Sequence, residues 1–289
     1  MITMKILIIT DIEGVSGVNG RRADEVGNKI INTDVACRLL TQEVNAVVEG
    51  LIEAGADDIQ VWDGHGGSNS IQIENLHPAA DLFISGSDLA PVTYIDSSYN
   101  AAVQIGAHAM MGVCDGFLNH TFNSHGISNM WLNGKLIGEI GVQGLMCAYF
   151  AVPTILVSGD KAACCEAEEF FGKVKIVETK RGISRYSVQN YNPVKIRQNL
   201  KESAKDSLLK KEEFTAKNIS APYALKLQLM CPNMADNYEK NGAERVDHST
   251  VVLKSNDLID VFAQRMGWAP GIHNKKFMIQ HSKLEPVYV

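Results

Sequence analysis

Residues 6–9, "ILII", are apolar at every position, and the run ends abruptly in "TDIEG", with Asp11, Glu13 and Gly14 in close succession. A short run without polar alternation has no face to give to water. It reads as a strand of a parallel sheet buried on both sides. Parallel neighbours need long crossover connections, usually helices, so this feature predicts a βαβ architecture.

The segments after it supply that alternation. From Asp34, a residue suited to an N-cap, Ala36, Leu39, Leu40, Val44, Val47, Val48 and Leu51 keep helical spacing until Gly55. "DIQVWDGHGG" reads as a second strand entering a glycine-rich turn, and residues 80–85 and 101–109 read as further strands. "IGEIGVQGLMCAYF" fits a loop leading into a helix, "VPTILVSGD" a strand, and "KAACCEAEEFFG" a helix closed by Gly172. The expected fold is α/β, an open, largely parallel sheet flanked by helices.

After Asn192 the texture changes. A charged amphipathic helix, "PVKIRQNLKESAKDSLLKKEEF", precedes strand-like "YALKLQL" and "STVVLKS" and a helix from about Asp257. This predicts a catalytic α/β domain over residues 1–192 and a smaller α+β portion over 193–289 packed on it, although no linker marks the boundary. No internal repeat or low-complexity segment interrupts the chain.

Composition narrows the function classes. With 289 residues, 45% of them hydrophobic, the chain can bury a sizeable core. A formal net charge of −6 and the lack of a basic stripe argue against nucleic acid as a partner. No stretch has the apolar length of a membrane span, and the amino-terminal run is too short for a signal peptide. Six scattered cysteines without a C-x-x-C pair fit a reduced, cytoplasmic setting.

The strand ends carry the chemistry. Asp11 and Glu13 come after the first strand, Asp63 and His65 after the second, and His108 ends the strand-like "AAVQIGAH". Ligands of open α/β sheets bind outside the carboxyl ends of strands. Acids beside histidines suit zinc or manganese. A pair of metals about 3.5–4 Å apart calls for a bridging carboxylate, a part that Asp11 is central enough to take. Glu139, after Gly138, is a further candidate ligand.

Taken singly, each residue also fits a cap, a turn or a structural role; their coincidence at equivalent strand ends favours a metal site. His77, His248, His273 and His281 have no neighbouring ligand pattern, whereas His120 and His125 come after His108 on one loop. The chain has no P-loop, no dinucleotide fingerprint and no G-x-S-x-G elbow. Metal-assisted hydrolysis is the chemistry left standing.

The blocks "DIEGVSGV", "DGHGGSN", "IGAHAM" with "NHTF", "LNGKLIGEIG", "ILVSGD" with "EAEE", and "KRGISRYSV" together resemble the zinc-dependent D-aminopeptidases of bacterial dipeptide-transport operons. The resemblance is strong over residues 4–187 and weak over about 201–242. It implies two zinc ions per chain held by Asp11, Glu13, His65, His108 and Glu139, with Asp11 bridging. His120 falls on the family's additional catalytic histidine. The resemblance also implies short peptide substrates and a ring-shaped homo-oligomer. A metal-dependent amidohydrolase of other small amides and a transporter-associated peptide-binding protein are the alternatives; the intact ligand set disfavours the binder.

Overall fold

The computed structural model describes residues 3–21, 30–31, 33–66, 69–84 and 95–271. His273 and His281 lie outside them. In chain order the elements begin with β1 (Lys5–Thr10), β2 (Gly20–Arg21), β3 (Ile30–Ile31), α1 (Thr33–Glu53), β4 (Asp58–Asp63), β5 (Ala80–Ile84) and β6 (Ala101–Ala107). They continue with β7 (Ile127–Leu132), β8 (Lys135–Leu136), α2 (Glu139–Tyr149), β9 (Thr154–Asp160), α3 (Lys161–Phe171), β10 (Lys175–Ser184) and β11 (Ser187–Asn190). The last are α4 (Pro193–Leu209), β12 (Tyr223–Leu229), α5 (Pro232–Lys240), β13 (Glu244–Arg245), β14 (Thr250–Ser255) and α6 (Leu258–Arg265).

The chain forms two compact units, the first holding the described residues of 1–87, 96–120 and 138–218, the second those of 88–95, 121–137 and 219–289. The first unit is the expected α/β fold. Its sheet has the order β11-β10-β9-β6-β1-β4-β5, parallel except where β11 returns antiparallel along β10. Ile6, Leu7 and Ile8 of β1 are fully buried, as a central strand covered on both faces requires. Helices α1 and α4 pack together over Ile6, Ile8, Val61, Val103 and Ile105. Helices α2 and α3 contribute Ile140, Ala163 and Ala167 to a second apolar cluster with Ala107 and Val157.

Strand order decides where the site forms. From β1 the chain moves out to β4 and β5, then returns to place β6 on the opposite side of β1. This is a topological switch point, where the loops leaving adjacent strands diverge and a crevice opens. Thr10 pairs with Asp63 on one side and with Ile105 on the other, so three strands end level with one another.

The second unit is an antiparallel sheet, β13-β14-β12-β7-β8, with α5 and α6. Asn133 and Gly134, at φ 49° and 80°, turn β7 into β8 as a two-residue hairpin loop with left-handed residues does. Asp257 caps α6, its Oδ1 accepting from the amides of Ile259 and Asp260.

These units differ from a division at residue 192. Helix α4 belongs to the first unit because its stripe of Ile196, Leu200, Ala204 and Leu208 enters the α1 core. Residues 121–137 belong to the second because β7 pairs with β12, Leu132 opposite Leu225.

Gly106 shows how tightly the switch point is packed. Its φ is +76°, and a Cβ there would lie 2.1 Å from the Asp11 carbonyl oxygen. Gly55, at φ +94°, has nothing within 4 Å of such a Cβ. Gly106→Ala is expected to lose about 2–5 kcal/mol through strain and overpacking together, and Gly55→Ala about 1 kcal/mol through strain alone. Urea unfolding of the two variants measures the difference.

Candidate metal centre

The loop after β1 is stitched to the end of β6 by two backbone bonds, Asp11 N–H to Ile105 O and Gly14 N–H to Gly106 O, each 2.8 Å. This places Asp11 and Glu13 over the switch point. On the neighbouring strand, the buried Asp63 carboxylate accepts from the amides of Ser70 at 2.6 Å and Ile71 at 3.2 Å, closing the loop that carries His65. Asp63 shares the strand-end position of the ligand candidates yet serves the backbone.

His108 comes directly after β6. Its Nδ1 donates to Ala109 O at 2.9 Å, which leaves Nε2 facing the acids. Such a second partner fixes the tautomer a metal ligand needs. The loop onward is braced internally by Asn119, whose amide donates to Val113 O and Gly116 O. It is also tied to Asp160, which accepts from Phe117 N–H at 2.8 Å while capping α3.

The loop ends on His120, whose ring stacks on His108 at 3.9 Å between centroids. Its Nδ1 donates to Leu118 O at 2.8 Å, a carbonyl aimed by the left-handed Leu118, φ 52°. Glu139 opens α2, where the helix dipole favours a carboxylate.

These residues fall into two groups, Asp11–Glu13–His65 and His108–His120–Glu139, within each of which the ligand atoms lie no more than 4.8 Å apart. Asp11 reaches both, with Oδ1 3.0 Å from His65 Nδ1 and Oδ2 3.3 Å from His108 Nε2. Glu13 Oε2 is 3.0 Å from His65 Nδ1, and Glu139 Oε1 is 3.3 Å from His108 Nε2. His120 Nε2 stands 4.0 Å from Glu13 Oε1. A small cavity bordered by Asp11, Gln104, His108, Glu139 and Gln143 opens beside the second group.

All six residues singled out in the sequence thus converge. His125 is in neither group. His77 and His248 are also outside both, the first holding Ala79 N–H through Nδ1 and the second exposed.

The electrostatics are those of a cation site balanced by protons. Burial, reinforced by the charge of Glu13, raises Asp11 to about 6 against the pull of the histidines. Burial also opposes ionisation of Glu13, but His65, His108 and His120 outweigh it and hold its pKa well below the usual carboxylate range. Burial alone would lower His65, yet Glu13 and Asp11 raise it to about 10, and Asp11 and Glu139 likewise raise His108 against its burial. Burial and the adjacent His108 push His120 down to about 4. The donor set of carboxylates and imidazoles fits zinc, with each imidazolium proton marking a place a cation can take.

Two supporting residues receive no role from the sequence, although both lie in the family-like blocks, Lys180 in "KRGISRYSV" and Glu166 in "EAEE". Lys180 of β10 is fully buried, and its Nζ donates to Glu13 O and Val18 O, both at 2.8 Å, clamping the ligand loop. Burial pushes this amine down to about 7. Glu166 of α3 accepts from Met110 N–H at 2.8 Å and lies where a Cβ at Gly138 would come within 2.3 Å of its Oε1. It ties down the segment after His108 and lies against Gly138, the residue before Glu139.

An open α/β sheet with a carboxylate–imidazole cluster at its switch point defines a class, the metal-site hydrolases. More specifically, the D-aminopeptidase family matches residues 4–266, and the chain belongs to it. D-aminopeptidase of Bacillus subtilis (strain 168) is 28% identical over 266 residues, covering 90% of this chain and 94% of that protein. The solved structure of Zn-dependent D-aminopeptidase DppA from Bacillus subtilis, a self-compartmentalizing protease, is similar at a TM-score of 0.83 and 25% identity. That match covers 99% of this chain and 100% of that one.

Metal loading is expected to release about two protons per chain at pH 7, from His65 and His108, because both are cationic in the metal-free protein. Affinity therefore rises with pH. Calorimetric titration with zinc in two buffers of different ionisation enthalpy counts the protons.

Proposed function

We propose that this chain is a dinuclear zinc-dependent aminopeptidase releasing N-terminal D-amino acids from short peptides or amides. The observation that carries the reading is the placement of Asp11, one carboxylate oxygen toward each ligand group. With a residue so shared, Asp11, Glu13 and His65 would hold one ion and Asp11, His108 and Glu139 the other, and His120 would stand outside both sets. When bound, zinc supplies Lewis-acid polarisation of an amide carbonyl and makes water acidic enough to attack it near neutral pH.

His120 has the second task in peptide cleavage, moving protons. It is neutral at pH 7, with Nδ1 engaged by Leu118 O and Nε2 turned toward the centre. That lone pair takes a proton from the attacking water and returns it to the leaving amine. Lys180 and Glu166 keep the ligand loops from shifting as charge develops.

Family membership and the relatives' D-aminopeptidase activity support D-stereochemistry. The neighbour's self-compartmentalizing character supports a ring-shaped homo-oligomer that limits access to small peptides. Six free cysteines support a cytoplasmic setting; among the described residues, no helix is long and apolar enough to cross a membrane.

One preparation tests the reading. Elemental analysis is expected to find about two zinc ions per chain, with Asp11→Ala losing more than any other single ligand change because it serves both ions. The same protein should cleave D-alanyl peptides faster than matched L-peptides. Equal or faster turnover of the L-series would reject the stereochemical assignment alone.

His120→Ala is expected to retain metal while kcat falls about 10²–10⁴-fold, the range for removing a positioned acid–base group, and KM moves less. His125→Ala serves as the control and should cost far less. Zinc loss in His120→Ala would instead make it a ligand of the second group.

A further inference from the structure

Arg185 is a cation, in contact with the segment that follows His108, that no carboxylate among the described residues answers. It lies in the turn between β10 and β11, and its carbonyl accepts from Leu118 N–H at 2.9 Å. Leu118 in turn holds the His120 ring through its own carbonyl. The side chain reaches the segment after His108, with Nη1 3.8 Å from Met111 Sδ. The residue therefore touches both chain segments that bear the stacked histidines.

Its surroundings do not satisfy a guanidinium. Among the described residues its side chain meets a thioether, which is a weak acceptor, and the Tyr186 ring at 5.7 Å. Its Nε is buried without an acceptor. Leaving such a donor unmade is costly, and a protein normally answers it. Arg245, for comparison, pairs with Asp236 and with Glu239 at 3.3 Å. Lys180 cannot take over a binding role near the centre, since its amine is committed to Glu13 O and Val18 O.

The planar fork of Arg matches one anion best, a carboxylate gripped by two parallel N–H groups. A peptide that presents its amino end to an aminopeptidase ends in such a group. We propose that Arg185 anchors the C-terminal carboxylate of the substrate, which makes very short peptides with a free carboxylate the preferred class over amides and longer chains. This rests on the aminopeptidase reading above, and deepens it by assigning recognition of the substrate's far end.

The test compares D-alanyl-D-alanine with its C-terminal amide, which differ only in the charge Arg185 would bind. The metal-loaded enzyme should favour the free acid in kcat/KM, mostly through KM. In Arg185→Met, at unchanged metal content, the acid-to-amide ratio should fall about 10- to 150-fold, the span for hydrogen bonds to a charged group. Arg185→Lys should recover part of it. An unchanged ratio in Arg185→Met, with both substrates slowed alike, would make Arg185 a brace for the Leu118 segment and overturn the proposal. A ratio at or below one in the unsubstituted enzyme would overturn it without any variant. Failure of the underlying reading looks different: neither substrate is turned over by the unsubstituted, zinc-loaded protein.

Discussion

Two backbone hydrogen bonds, Asp11 N–H to Ile105 O and Gly14 N–H to Gly106 O, hold the rest of the site in place. They join the exits of β1 and β6, strands that are neighbours in the sheet although far apart along the chain. A side chain at position 106 would occupy the space of the Asp11 carbonyl, so the close approach depends on glycine. Once the junction is made, the flanking loops can deliver acids and imidazoles to a common volume without further adjustment of the sheet.

The resulting cluster is electrostatically costly on its own. Its buried and half-buried carboxylates, Asp11, Glu13 and Glu139, repel one another, and burial removes the water that would screen them. The histidines compensate by holding protons, and a divalent ion does the same work with more charge at one point. His120 differs from its stacked partner because burial and the neighbouring charge of His108 outweigh the pull of Glu13, Glu139 and the Leu118 carbonyl, so it stays uncharged. Two rings of one residue type, 3.9 Å apart, are thereby pushed in opposite directions, His108 toward holding its second proton and His120 toward losing it.

Much of this is legible in the sequence wherever the cause is local. The apolar run at residues 6–9, the 3.6-residue spacing after Asp34 and the helix start near Asp257 each report on neighbours along the chain, and each forms the expected element, although the first helix begins at Thr33, so Asp34 lies in its first turn instead of capping it. Strand ends can be read as well, which brings Asp11, Glu13, His65 and His108 forward; Glu139 is read from the start of a helix and His120 from the loop after His108, and the assignment of roles comes from the family resemblance. Distant partners cannot be read. In β10, "KIVETKRGIS" looks too charged for a buried strand because the groups satisfying Lys180 are the carbonyls of Glu13 and Val18, far away along the chain. Helix α4 falls in with the residues after it on sequence alone, because its charged face is visible there and its partner α1 is not. The Asn133-Gly134 pair does offer a signal for the β7–β8 hairpin, and so for the insertion of residues 121–137 into the second sheet.

The Lys180 clamp also bears on the order in which the molecule is made. All six candidate site residues have been synthesised once Glu139 is added, yet the loop carrying Asp11 and Glu13, joined to β6 on one side, lacks its second tie until β10 has been translated and has docked beside β9. Parallel pairing over such separations is slow, since the chain must close long loops before it gains the contact. Until then that loop is held from the β6 side alone. The final geometry of the candidate site is thereby deferred to a nearly complete sheet.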